Sequence, residues 1–152
     1  MKKHRIYKPK NDDRFFEQVS NIIFIIGFNY RIVQQHWPKI KKAFSNFSVE
    51  KVADYWQKDI DRLLKADGMI KNRRKISFII HNAKICVNLK KQHGSVLKWI
   101  EKLKKERKKD KLFAPTLAES FRMFKGIGET TSGWLENIHN AKGTYLEYTM
   151  DE

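Results

Sequence analysis

The stretch that most restricts the fold is Phe124-Lys125-Gly126-Ile127-Gly128-Glu129-Thr130-Thr131-Ser132-Gly133-Trp134. It lies between two runs with helical patterning, residues 117–124 and 130–138. Gly126 and Gly128, one residue apart, allow a tight turn with positive φ. They also keep side chains off the backbone, so another molecule can come close. Ile127 is expected to be the apolar plug between the two helices. Amides of the turn and of the second helix's start would then point outward, an arrangement that takes anions. An ordinary corner between two helices has the same Gly-x-Gly pattern.

The charge says which anion. Lys and Arg number 32 against 17 Asp and Glu, a net charge of +15. A polyanion is the expected partner, and nucleic acid fits best. The longest apolar run, residues 22–28, contains Gly27 and is too short to span a bilayer. Met1-Lys2-Lys3-His4-Arg5 is followed by no apolar segment, so no signal peptide is expected. The one cysteine, Cys86, excludes an intramolecular disulfide and a Cys-rich zinc site. These features predict an intracellular protein with no membrane partner.

A chain of 152 residues is one domain by length and can bury a real core. Residues 1–10 are basic, contain Pro9 and look like a loose arm; residues 11–152 form the domain. Asn11-Asp12-Asp13 offers helix caps. Phe15, Phe16, Val19, Ile22, Ile23 and Ile26 then recur at helical spacing. Because residues 22–26 are apolar on all sides, this first helix is expected to be central and buried. Gly27 breaks it, and Pro38 opens a further segment.

Helical patterning continues after Ser48, around Ile60, Leu63 and Leu64 up to Gly68, and from Met69 through about residue 91. Residues 98–111 hold eight basic and three acidic side chains, either a frayed helix or a linker. Thr116 and Glu119 match a capping box. Residues 143–148 have β-like composition but are few. The predicted fold is all-α, with about seven helices.

The turn resembles the helix-hairpin-helix of base-excision DNA glycosylases, which reads apolar-x-Gly-apolar-Gly-x-x-Thr. Phe124, Gly126, Ile127, Gly128 and Thr131 fill that pattern. Further residues widen the likeness. They are Phe15-Phe16-Glu17, Phe44 with Phe47, Asp67-Gly68-Met69-Ile70-Lys71-Asn72-Arg73-Arg74-Lys75-Ile76, Asn82-Ala83, Gly94-Ser95 and Trp99. Over residues 14–140 the chain resembles the DNA-3-methyladenine glycosylase I family.

The resemblance implies an enzyme that everts a methylated adenine from duplex DNA and cuts its N-glycosidic bond. Such enzymes seat the base in an aromatic-lined pocket. Tyr30 falls where the family has its base-stacking tryptophan, with Phe24 and Phe28 close by in sequence. Simple core packing is the other reading of Phe24 and Phe28. The DNA contacts implied are Lys125, Gly126, Ile127, Gly128, Thr130 and Thr131 of the hairpin. Lys71, Arg73 and Arg74 are candidates for further phosphate contacts. One arginine of this cluster could instead serve the core by pairing with Asp67 or another buried carboxylate.

Departures from the family pattern are equally specific. Ile22 stands where the family has its base-contacting glutamate, and Phe24 where it has a glutamine. The family's zinc ligands have no clear counterparts; His4 and His139 remain, without cysteines, so neither metal nor other cofactor is expected. For the chemistry two carboxylates are candidates. Asp151 lies 20 residues beyond Thr131, near the spacing of the wider superfamily's aspartate, though a solvated acidic tail would look the same. Glu17 keeps a family position in the first helix and could equally be a salt-bridge partner. His81 is read as an interior histidine. A monomer is expected. The alternatives are a DNA-binding protein that has lost the catalytic glutamate and, on charge alone, an RNA-binding or protein-interaction domain.

Overall fold

The structure of the protein is a computed structural model that describes residues 2–150. Among these the order is β1 (Lys2–Tyr7), α1 (Asp12–Ile25), α2 (Tyr30–Ala43), a 3-10 turn (Ser45–Phe47), α3 (Val49–Ala53) and α4 (Gln57–Lys65). There follow α5 (Arg73–His93), α6 (Val96–Lys109), α7 (Leu117–Phe121), α8 (Glu129–Asn140) and β2 (Tyr145–Met150). The domain is helical, as the periodicity predicts, with one small sheet added.

The caps decide where helices begin. Asn11, Ser48, Asn72, Ser95 and Thr116 each accept a first-turn amide of the helix that follows. Two α1 carboxylates act at longer range. Asp12 accepts from Val96 and Leu97 at the start of α6, and Asp13 from Val49 at the start of α3. One aspartate pair thus ties three helix starts together.

The pillar of the fold is α5, which packs against α1, α3, α4 and α6. Ile76, Ile79, Ala83 and Cys86 are buried along it. Burial holds the Cys86 thiol protonated, well above its ordinary range. Phe15 and Phe16 of α1 are fully buried, each worth about 1.5–3 kcal/mol relative to exposure. The expectation that α1 is buried all round is corrected. Ile22 and Ile25 line a cavity, and Ile26 is 37% exposed. An all-round apolar pattern arises here because one side of the helix faces the core and the other an apolar recess.

Three further readings change. Residues 2–7 are not a loose arm: β1 pairs antiparallel with β2, from Lys2 opposite Met150 to Tyr7 opposite Tyr145. Cross-strand pairs hold it, with the His4 and Tyr148 rings stacked at 5.3 Å and Arg5 lying 3.5 Å from Glu147. Pro38 opens no segment but lies inside α2, where its missing N–H forfeits one helix bond. Buried Val33 and Ile40 pin the helix on both sides of it. Residues 98–109 of the charged run are helix, because Val96, Trp99 and Ile100 give α6 a buried face.

Candidate functional site

The turn between α7 and α8 is exposed at Lys125, Gly126, Gly128, Glu129 and Thr130, whereas Ile127 and Thr131 are buried. Ile127 is therefore the plug the sequence predicts. Gly126 has φ +84°. A Cβ there would lie 3.1 Å from Phe78 and 3.2 Å from Ile23, so a side chain would be strained by the positive φ and would need both neighbours to give by a few tenths of an ångström. Gly128 differs from expectation. Its φ is −102°, and a Cβ there would meet only open space. Nothing inside the protein requires glycine at position 128.

Buried Asn82 of α5 holds the turn. Its side chain accepts from Lys125 N at 2.8 Å and donates to Lys125 O at 2.9 Å. Thr131 Oγ1 accepts from Gly128 N at 2.9 Å. The amides of Glu129 and Thr130 have no hydrogen-bond partner among the described residues. They are orphan donors of a helix start, on residues that are exposed. The Glu129 carboxylate stands in the same turn, where the helix dipole favours it.

The candidate phosphate contacts separate by geometry. The Arg74 guanidinium lies 5.3 Å over the Phe78 ring, and Phe78 borders Gly126, so Arg74 stands beside the hairpin. Arg73 is tied to Asp61 at 3.3 Å. Lys71 is exposed ahead of α5. Asp67 pairs with Lys39 at 2.8 Å, not with an arginine. His81 is exposed, which corrects the interior reading. Partial burial and the charges of Lys125 and Lys84 keep its pKa below the ordinary value.

A cavity of about 1030 Å³ lies between α1, α2, α8 and the sheet. Tyr30, Trp37, Trp134, Ile22 and Ile25 line it, as do Glu17, Ile6, Leu146 and Tyr148. Cavity and hairpin share two helices. Ile23 of α1 abuts Gly126, while Ile22 and Ile25 face the cavity. Likewise α8 runs from the hairpin to Trp134 on the cavity wall. Burial, with Tyr30 beside it, raises the Tyr148 phenol above its ordinary range.

Of the expected base-binding residues only Tyr30 lines this cavity. Phe24 is fully buried and meets Trp37 and Phe44 edge-on or tilted, each at 6.1 Å, so it is a core residue. Phe28 lies in the exposed α1–α2 turn, 47% accessible, away from the cavity lining. The sequence reading passed over Trp37, Tyr148 and the pair Ile6–Leu146. The β-like run at 143–148 was the available signal for two of them.

Glu17 lines the cavity but is well engaged. It pairs with Arg14 at 2.9 Å and Lys41 at 3.3 Å, and accepts from Trp37 Nε1 at 2.8 Å. Asp151 lies outside the described residues. His139 is buried and hydrogen-bonded to Gln18, while His4 packs on Tyr148. These residues do not fit a zinc site, and no metal-holding group of His, Cys, Asp or Glu occurs among the described residues. No helix of the described residues is long and apolar enough to cross a membrane.

Two helices joined by a Gly-Ile-Gly turn are docked on a mostly helical core beside an aromatic-walled cavity, so the class defined here is a helical domain that carries a hairpin between α7 and α8. Residues 7–123 match the methyladenine glycosylase family model, and the chain belongs to that family. The matched segment ends just ahead of the hairpin. Solved structures agree on the fold. One is a Tyr-to-Phe variant of 3-methyladenine DNA glycosylase I in complex with 3-methyladenine, with TM-score 0.69 and 20% identity over 88% of this chain and 80% of that one. A Glu-to-Gln variant of the Staphylococcus aureus enzyme gives the same TM-score, 0.69, identity, 20%, and coverage, 88% and 80%. A further 3-methyladenine DNA glycosylase I structure has TM-score 0.64 and 24% identity over 82% and 76% of the two chains.

Proposed function

We propose that the protein is a DNA glycosylase that removes an alkylated purine from duplex DNA. The observation that carries this reading is the junction of an exposed hairpin, with orphan amides at Glu129 and Thr130, and an aromatic-walled cavity on the same two helices. The hairpin would hold a phosphate, with Lys125, Thr130 and Arg74 around it and Lys71 and Arg73 farther out. The everted base would stack on Tyr30, a contact worth roughly 1–3 kcal/mol. A purine alkylated at N3 or N7 is a cation, and an aromatic face attracts it further.

That cation also makes the chemistry undemanding. The C1′–N bond breaks, its electron pair neutralises the departing base, and the sugar becomes an oxocarbenium ion. Water adds its oxygen to C1′ and releases a proton to solvent. A nearby carboxylate stabilises the ion by charge. Glu17, which lines the cavity, would serve this role, with Arg14 and Lys41 offsetting much of its field. Asp151 is the second candidate.

The test is release of methylated base from methylated duplex, compared with Glu17→Gln and Asp151→Asn. Release that falls in one variant assigns the carboxylate. A second reading, a DNA-binding protein without chemistry, is favoured by Ile22 and by the ion pairs on Glu17. Folded protein that binds duplex but frees no base would establish it in place of the first.

A further inference from the structure

We infer that the lesion this cavity takes is a purine bearing a bulky apolar N-alkyl substituent, not a methyl group alone; this rests on reading the cavity as the base pocket. The first observation is size. The cavity is about 1030 Å³. Pockets of about 300–1,000 Å³ enclose whole drug-sized molecules. A methylated purine stacked on Tyr30 would leave most of it filled with water.

The second observation is the chemistry of the wall. Several of its polar side chains are already engaged with other groups of the protein. Glu17 is held by Arg14, Lys41 and Trp37. Asn21 donates to Gln34 at 3.1 Å, and Gln18 meets His139 at 3.3 Å. Five isoleucine and leucine side chains line it: Ile22 and Ile25 from α1, Ile138 from α8, and the directly opposed Ile6 and Leu146 from the sheet. Such a wall offers a ligand hydrocarbon, with few polar groups to read a base edge. A methyl group would cover little of it, whereas an aromatic or long alkyl substituent would cover much more. One missing methylene in an apolar pocket changes rates by roughly 10–200-fold, so the preference should be large.

The experiment uses the full chain and two portions of one duplex, treated with dimethyl sulfate or with benzyl bromide. Released purines are measured by chromatography with mass detection, each corrected for loss without protein. Benzylated purine should be freed at least about tenfold faster than methylated purine. Ile22→Trp and Leu146→Trp, which fill the aliphatic side from different elements, should each bring that ratio towards one. Equal or faster release of methylated purine, or a ratio that neither folded variant moves, overturns the inference while the glycosylase reading stands. If neither base is freed, competition binding decides. Tighter binding of benzylated duplex that is lost in Ile22→Trp supports the inference although hydrolysis has failed; equal binding of both duplexes overturns it.

Discussion

The two glycines of the hairpin serve different ends, and substitution separates them. Gly126→Ala forces a side chain into positive φ against Phe78 and Ile23. Its cost is expected at about 1–3 kcal/mol, read from the denaturation midpoint. Gly128→Ala meets open space and an ordinary φ, so stability should stay within about 0.5 kcal/mol. If a phosphate backbone approaches there, the same variant should weaken duplex binding about tenfold or more. Unchanged binding in Gly128→Ala would move the interface elsewhere. His139 sets a pH dependence. Burial, with Lys104 and Lys8 nearby, lowers its pKa to about 4. The unfolded chain binds that proton near pH 6.5 and the folded chain only near pH 4. Stability is therefore full above the unfolded pKa and falls with decreasing pH across that window, by up to roughly 3 kcal/mol. His139→Gln should flatten the slope; a slope unchanged in that variant would assign it to other groups.

At the level of elements, the hairpin depends on α5. Asn82→Leu leaves the part-buried N–H and C=O of Lys125 unpaired and should cost about 1–3 kcal/mol. Duplex affinity should fall with it, since the turn loses its mooring; a variant that binds normally would show the turn to be self-supporting. The α8 start offers a gain instead. Glu129→Gln removes the one carboxylate in the first turn and should raise duplex affinity about two- to fivefold by titration at low salt. Much of this was legible in advance. Caps at Asn11, Ser48, Ser95 and Thr116 and the plug at Ile127 are local signals, and local chemistry fixed them. Partners distant in sequence were not legible. Nothing near residue 82 says that its amide grips residue 125, and nothing near residue 4 says that residue 148 lies opposite. Phe24 and Ile22 show the same limit. Both sit in one apolar run, yet helix rotation sends the first into the core and the second to the cavity.

For the whole molecule, a net charge of +15 acts before any contact forms. Duplex binding should weaken linearly in log–log terms with salt, by about 0.9 in slope for each phosphate neutralised. Lys125→Ala and Arg74→Ala should each reduce that slope by about one such step, whereas Arg73→Ala, already tied to Asp61, should reduce it less. A slope insensitive to Lys125 and Arg74 would remove the hairpin from the interface. The placement of tryptophan has a practical result. Trp37 and Trp134 look into the cavity, Trp99 is packed in the core and Trp56 is out in solvent. With Trp56 changed to phenylalanine, the emission that responds to an occupant comes from the two cavity indoles. A fluorimeter would then follow filling of the recess directly, with no label on either the protein or the nucleic acid.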